Sequence, residues 1–192
     1  MNINGGSWVI ANTLTNTGVL NVAASRVLNY SLAQALSGTV SNAGILTGTL
    51  TSFTGPSFTN NGSVTLTNLP FAGSTAQTLN GTGSITTLRI NNANGVTLGG
   101  DQTVTNALTL TNGKVTLGSS NLFLSNSALA SLVGGNATNH FITNGTGSFQ
   151  RMVATGAAYP FPITNGSSYM PATLTLTSGP SERFAAGANG CT

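Results

Sequence analysis

The stretch "TLRINNANGVTLGGDQTVTNALTLTNGKVTLGSSNLFL", Thr87–Leu124, alternates apolar and polar residues in short segments separated by turns. The alternation predicts strands at Thr87–Ile90, Val96–Leu98, Thr103–Val104, Ala107–Leu110, Lys114–Leu117 and Asn121–Leu124. Equivalent apolar positions return after 19 or 20 residues, in the pairs Leu88 and Leu108, Leu98 and Leu117, and Val104 and Leu124. A parallel β-solenoid requires this return, because each coil places an inward side chain above its counterpart in the coil below.

A unit of Asn, any residue and Gly, followed by alternating Val, Ile, Leu and Thr, recurs along the chain. It occurs as "NTGVL" at Asn16–Leu20, "NAGIL" at Asn42–Leu46, "NNGSV" at Asn60–Val64, "NANGVTL" at Asn92–Leu98 and "TNGKVTL" at Thr111–Leu117. We expect the glycine to supply a positive-φ turn and the segment after it to form a strand. A sandwich or an up-and-down barrel also has short strands, but neither needs a constant return. The predicted fold is all-β, a mostly parallel β-solenoid (β-helix) with about 19–20 residues per coil.

Residues 1–147 are predicted to form the solenoid. Gly18 and Gly44 are separated by 26 residues, which indicates a possible insertion at 25–38. Ser25–Gly38 fits a helix or a strand and loop equally well. Phe53 and Phe58 flank a Gly-Pro turn and suit stacking inside the coil. Residues 148–192 are rich in Pro and Tyr, which interrupt regular coils, so we expect an irregular β cap or the start of a β-sandwich, ending in a tail.

The chain has 192 residues with 25 Gly and 39% hydrophobic residues, and only 4% of it is charged. Its aliphatic content argues against disorder. The net charge of +3 comes from scattered cations, so no basic patch indicates nucleic-acid binding. No apolar run is long enough for a transmembrane helix, and we predict no membrane insertion. The first residues do not resemble a secretory signal. Since the composition is typical of extracellular proteins, we expect a piece of a longer secreted protein.

Residues that could carry catalysis or bind a metal are scarce. Asp101 and Glu182 are the two carboxylates, 81 positions apart, whereas glycoside hydrolysis and calcium-assisted chemistry need carboxylates close together. His140 and Cys191 are single, so they cannot build a zinc site. We expect His140 to be an exposed turn residue and Cys191 to be incidental. The sequence therefore predicts a non-enzyme with no catalytic, cofactor-binding or metal-binding residues.

Two features of the surface suggest binding. Asn and Thr at equivalent positions of stacked coils can form side-chain ladders, which leave an uncharged outer face able to bind sugars or neighbouring copies. Exposed aromatic rings could be stacking platforms for glycans, and the candidates are Trp8, Tyr30, Tyr159 and Tyr169. A carbohydrate-binding module is therefore an alternative function, and a β-helical polysaccharide-active enzyme is a weaker one.

The segments "LTLTNGKVTLGSSNLFLS" (Leu108–Ser125) and "FITNGTGSFQRMVATGAAYPFPITNGSSYMPATLTLTSG" (Phe141–Gly179) resemble the repeat regions of large cell-surface proteins of the Bacteroidota. In that group, β-solenoid-like stretches precede immunoglobulin-like domains and a sorting domain for type IX secretion. The resemblance covers Leu88–Gly179 best. It implies an extracellular location at the bacterial cell surface, and it carries over no catalytic residues.

From these observations we expect a non-catalytic extracellular structural protein. It would be a stalk or adhesin segment, or the subunit of a matrix filament. The expected partners are other copies, joined end to end or by strand addition, the neighbouring domains of a longer surface protein, or glycans.

Overall fold

The computed structural model describes residues 1–187, so Cys191 lies outside the described residues. The predicted fold class is confirmed, because the strands stack as a parallel β-solenoid with two long sheets. Sheet A contains β1 (Asn2–Ile3), β3 (Val19–Val22), β5 (Thr39–Asn42), β7 (Ser57–Asn60), β10 (Gln77–Asn80), β12 (Val96–Gly99), β14 (Val115–Thr116), β17 (Phe141–Ile142) and β20 (Ile163–Thr164), in stacking order. Within the described range, the only helical element is a 3₁₀ turn at Leu129–Ser131.

Sheet B is the wider of the two sheets, and its long strands each contact two shorter ones. Its main path contains β2 (Ser7–Ile10), β4 (Val27–Leu36), β6 (Ile45–Phe53), β8 (Ser63–Leu66), β11 (Ser84–Asn91), β13 (Gln102–Asn112), β15 (Leu122–Leu124), β18 (Phe149–Val153) and β22 (Glu182–Ala186). Two short strands complete the wide coils, since β9 (Leu69–Phe71) pairs with β6 and β11, and β16 (Leu132–Gly134) pairs with β13.

The register of the central coils agrees with the predicted return. Leu88 pairs with Leu108, and Val104 pairs with Leu124. Thr103–Val104 and Ala107–Leu110, predicted as two strands, lie in the single strand β13. The coil that starts at Val115 is longer than the predicted 19–20 residues, since Val115 pairs with Phe141, which follows it by 26 positions. The additional residues form the 3₁₀ turn, β16 and a loop.

The core is a set of side-chain columns that run along the stack. One column consists of Leu28, Leu46, Val64, Ile85, Val104 and Leu124, each at most 1% exposed. Full burial of such a side chain stabilises the fold by about 1.5–3 kcal/mol relative to exposure. Phe53 and Phe58 pack edge to face with ring centres 5.3 Å apart, and Phe71 joins them. This confirms the predicted aromatic contact inside the coil.

The Asn-x-Gly units occupy two different corners of the coil. The units at Asn42 and Asn60 lead from sheet A to sheet B, whereas the unit at Asn16 leads from sheet B to sheet A. The 26-residue interval from Gly18 to Gly44 therefore compares unlike corners. It is not evidence for an insertion.

Stacked glycines mark one of these corners. Gly38 lies directly above Gly18, and Gly55 above Gly38, so that a Cβ on either upper glycine would overlap the carbonyl oxygen below it. The expected positive φ occurs at Gly95 and Gly113. It is absent from the other Asn-x-Gly glycines, including Gly44, where a Cβ would overlap the carbonyl oxygen of Arg26. Close stacking of the coils thus explains glycine at these corners.

Residues 25–38 contain β4, so the helical alternative for this stretch is wrong. β4 pairs in parallel with β2 below and β6 above. The register with β6 shifts between Tyr30 and Ala35. The extra residues of β4 are accommodated as an irregularity within a paired strand.

The C-terminal part changes from parallel to antiparallel pairing in stages. Parallel pairing continues beyond the predicted boundary at 147, because β18 pairs with β15 and β20 with β17. β22 then adds to β18 in the antiparallel direction. A separate antiparallel pair is formed by β19 (Ala158–Phe161) and β21 (Ala172–Thr175).

Candidate functional sites at the two ends of the solenoid

The two carboxylates lie far apart. Asp101 directly precedes Gln102, the first residue of β13. Through β15 and β18, Gln102 is in register with Ala186 of β22. Glu182 lies at the opposite end of β22. Strand spacing and rise place the two residues roughly 20 Å apart, well beyond the separation that glycoside hydrolysis needs. Asp101 instead accepts hydrogen bonds from the backbone N (2.7 Å) and Nδ2 (3.2 Å) of Asn121.

His140 is buried, with 4% of its surface exposed, so the expectation of an exposed turn residue was wrong. The loop of the lengthened coil folds over it, and Nδ1 lies 3.1 Å from the carbonyl oxygen of Asn136. The ring of Tyr169 packs against it at 5.3 Å. Burial lowers the pKa of His140, and the nearby charge of Lys114 lowers it further. Both effects favour the neutral imidazole.

Two of the four predicted stacking platforms are inside the protein. Tyr30 and Tyr159 are each 2% exposed, and the Tyr159 hydroxyl donates to the carbonyl of Ser127 at 2.6 Å. Tyr169 is half-buried against His140. Only Trp8, 47% exposed, presents a large open surface. Trp8 lies in the first coil and Tyr169 beyond the last, so no described pair of these rings forms one glycan platform.

Asn and Gln side chains line the interior of both corners. Asn42 donates to Oδ1 of Asn60 at 3.0 Å, and Asn60 donates to Oε1 of Gln102 at 3.3 Å. At the other corner, Asn92 donates to Oε1 of Gln77 at 2.9 Å. The predicted side-chain ladder therefore exists in the buried interior, where each amide also bonds backbone groups of the turns. These hydrogen bonds connect neighbouring coils.

Among residues 1–187, no three His, Cys, Asp or Glu side chains cluster in a way that could hold a metal ion. The same range contains no helix of the length and hydropathy needed to cross a membrane.

The N-terminal end of the solenoid is open. β1 and β2 are the first strands of their sheets, and each has a neighbour on one side only. Trp8 is in register with Leu28 and so occupies the inward column, yet 47% of it is exposed because no coil lies beneath it. Met1, Val9 and Val19 are also exposed there. This end displays apolar side chains beside unpaired backbone groups, which is the usual condition for strand addition.

The C-terminal end contains a groove of about 850 Å³. It is lined by the corner Gly145–Ser148 and by the side chains of Phe161, Ile163 and Phe184. β21 and β22 form its rims, and each of these strands pairs with one neighbour only. The groove is largely apolar, and its volume is in the range of sites that accept a large side chain or a small ligand.

Arg151 is fully buried next to this end. It follows Leu124 in the apolar column. Its guanidinium donates to the carbonyls of Pro160 (3.2 Å) and Leu129 (3.2 Å), and it lies 4.7 Å from the centre of the Tyr159 ring. Burial lowers its pKa. Arg151 thus joins β18, the 3₁₀ turn and β19. It interrupts the apolar column, since the next residue in register is Phe184 of β22.

Sequence reasoning missed the groove and the role of Arg151. The groove arises from strands distant in the chain, so no local motif indicates it. Arg151 had a signal, because the alternation in "FQRMV" places it on the same side of β18 as Phe149 and Val153. No protein-family model, curated protein or solved structure matches this chain.

Proposed function

We propose that the chain is a non-catalytic extracellular structural protein, a stalk or adhesin segment or the subunit of a matrix filament. The observation that carries this proposal is the continuous core. Its columns run from the first coils to Leu124, and their side chains are buried in one continuous hydrophobic cluster. A stack of this kind provides length and a repeating surface, with contacts mainly between neighbouring coils.

The chemistry of the described surface supports the same role. Charged residues are few and dispersed, Asp101 is engaged with Asn121, and His140 is buried. An acid–base or nucleophilic mechanism requires such groups to converge on one reacting atom. Glycan binding is a weaker alternative, because it depends on Trp8 alone among the exposed aromatic rings considered.

The location and partners are part of the proposal. The resemblance of Leu88–Gly179 to repeat regions of Bacteroidota surface proteins and the nearly uncharged composition favour the extracellular face of a bacterial cell. Suitable partners are further copies or neighbouring domains that cover the open N-terminal end, since exposed strand edges favour pairing.

Immunogold electron microscopy of intact cells of the source organism tests this proposal. We expect label on the cell surface or in the surrounding matrix, with cells lacking the gene as the control. Label confined to the cytoplasm would overturn the extracellular role. In parallel, purified protein is incubated with a panel of polysaccharides, and we expect no release of reducing or unsaturated ends. Turnover that disappears in Asp101→Asn would contradict the non-catalytic role.

A further inference from the structure

We propose that the outer face of sheet A binds the surface of ice. This face presents two rows of short hydroxyl and amide side chains that repeat at the spacing of the coils. The inference rests on the proposed structural role and supplies a target for an adhesin segment, namely a lattice of ordered water. Its support comes from the register, the composition and the hydrogen bonding of this face.

Two outward rows run along sheet A. The first row consists of Thr39, Ser57, Thr78, Thr97 and Thr116, one from each of five successive coils. The second row, two positions further along the strands, consists of Ser41, Thr59 and Asn80. The residues between the rows, Val40, Phe58 and Leu79, are fully buried, so both rows face outward. Neighbours within a row are about 4.8 Å apart, and the rows are about 6.6 Å apart.

Sheet A is the more regular of the two sheets. Its strands pair without a register shift from β3 to β20. Sheet B has register shifts between β4 and β6 and between β11 and β13. Because a shift displaces the side chains of one strand relative to the next, rows on sheet B lose their constant spacing. Of the two outer faces, that of sheet A keeps a two-dimensional array over several coils.

The composition of this face excludes the usual features of other ligand sites. Strands β5, β7, β10, β12 and β14 contain no charged residue, and their one aromatic residue, Phe58, is buried. The face therefore offers a sugar no ring on which to stack. A charged group would also hold a strongly bound hydration shell of its own. Lys114, immediately before β14, lies at the margin of the array, and the first row ends at Ile142.

The hydroxyl groups of the array are available to water. Among residues 1–187, the hydroxyls of Thr39, Thr97 and Thr116 have no protein partner. Asn80 connects the two rows, because its Nδ2 donates to Oγ of Ser57 at 3.0 Å and to Oγ1 of Thr78 at 3.3 Å. Hydroxyls about 4.8 Å apart along a row are too distant to bond each other directly. Each free hydroxyl must therefore bond water, and the bound water repeats with the coils.

The repeat of the array is suited to ice. A surface binds ice by holding water molecules at positions of the ice lattice. The step of about 4.8 Å between coils is close to the shortest lattice repeat of hexagonal ice, and the second row extends the array to a second dimension. Threonine supplies a hydroxyl that anchors water and a methyl group around which water is ordered. Its χ1 angle is restricted, so little conformational entropy is lost when the face meets ice.

Nanolitre osmometry of the purified chain tests the proposal by measuring thermal hysteresis, the gap between the melting and freezing temperatures of a single ice crystal. We expect a hysteresis that increases with protein concentration. Thr97→Tyr places a bulky ring within the first row and should abolish it. Thr109→Tyr on the outer side of β13 in sheet B is the matched control and should retain the hysteresis of the unmodified chain.

Two further measurements support the comparison. Circular dichroism verifies the fold of both variants, which tyrosine should preserve because it is favoured in strands. Thr116→Tyr, in the next coil of the same row, replaces Thr97→Tyr if the latter is misfolded. Cosedimentation with crystalline cellulose and chitin examines polysaccharide surfaces, and we expect the unmodified chain to stay in solution.

Three results would overturn ice binding by sheet A. The first is an unmodified chain that shows no hysteresis and does not inhibit ice recrystallisation. The second is an equal loss of hysteresis in Thr97→Tyr and Thr109→Tyr, which would place the contact elsewhere. The third is cosedimentation with cellulose or chitin that Thr97→Tyr abolishes, which would assign the face to a polysaccharide. None of these results bears on the immunogold experiment, so ice binding can fail while the structural role stands.

Discussion

The column that begins at Leu28 contains only aliphatic side chains through the central coils and then receives Arg151 in β18. The central coils repeat one parallel pattern. The C-terminal coils contain a lengthened loop, a 3₁₀ turn and two antiparallel pairings. A regular coil always presents an edge to which another coil can add. The irregular C-terminal part interrupts the aliphatic column at Arg151, and the next residue in register, Phe184, lies on the antiparallel strand β22.

The N-terminal end shows the opposite condition. Its first coil has the pattern of an interior coil, but no described residue packs on its outer side, and Trp8 is exposed where Leu28 in the next coil is buried. The difference between the ends gives the molecule a direction. Four substitutions test this contrast between the interior coils, the C-terminal cap and the first coil.

Arg151→Ala should have the largest effect. Loss of the side chain leaves a cavity and removes the donors to the carbonyls of Leu129 and Pro160, so we expect a loss of about 3–5 kcal/mol in the free energy of unfolding. Urea denaturation measures it, and hydrogen exchange should show increased opening of β18 and β22. Arg89→Ala, on the outer side of β11, is the control and should change stability little. Equal effects would refute the proposed role of Arg151 in the cap.

Asn60→Leu should have the next largest effect. The leucine removes the donor to the carbonyl of Ser84 and one of the two acceptors of the Asn42 amide, which keeps only the carbonyl of Ser63. Each unsatisfied buried group costs about 1–3 kcal/mol. Asn29→Leu on the outward side of β4 is the matched control, and the same urea experiment compares the two. If Asn60→Leu were neutral, the buried amide ladder would not contribute to stability.

Gly38→Ala and Gly18→Ala together compare a corner inside the stack with the corresponding corner of the first coil. The new methyl group would overlap the carbonyl oxygen of Gly18, and overpacking of this kind costs about 1–3 kcal/mol. Gly18→Ala changes the corresponding corner of the open end, where a Cβ meets no atom, and should be nearly neutral. Thermal unfolding of both variants at low protein concentration measures the difference. A similar loss in both would show that backbone conformation, and not stacking, requires glycine.

His140 should produce the smallest effect, visible as a pH dependence. Its pKa is lowered in the folded protein by burial and by Lys114, while Tyr169 covers the ring. Since the unfolded chain binds the proton more readily, the contribution to stability is present above about pH 6.5 and decreases as the pH falls below it. Urea denaturation at pH 7 and pH 5 should show this decrease, and His140→Phe should reduce it. An unchanged pH dependence in that variant would assign the effect to other groups.

Much of the central fold could be predicted because its information is local and repeated. The pairing of Leu88 with Leu108 follows from constant spacing, and the Phe53–Phe58 contact follows from a short turn between two apolar segments. The helical alternative for Ser25–Gly38 failed because Leu residues at intervals of four fit both structures. Pairing with β2 and β6 decided between them.

The ends could not be predicted in the same way. The burial of His140 depends on a segment some 30 residues later, which brings Tyr169 over the ring. The groove depends on β20, β21 and β22 together, and no short motif specifies how three separate segments meet. The sequence also does not distinguish the two kinds of corner, because an Asn-x-Gly unit has the same pattern whether it leads into sheet A or into sheet B.

The amino-acid pattern alone indicated parallel stacked coils with an aliphatic core and few charges. Alternation with period two and a return after about 20 residues leave few other arrangements. The packing of the coils showed which glycines support stacking and where Arg151 interrupts the aliphatic column. These properties depend on which atoms lie one coil above or below, and that proximity exists only when the chain is wound into register.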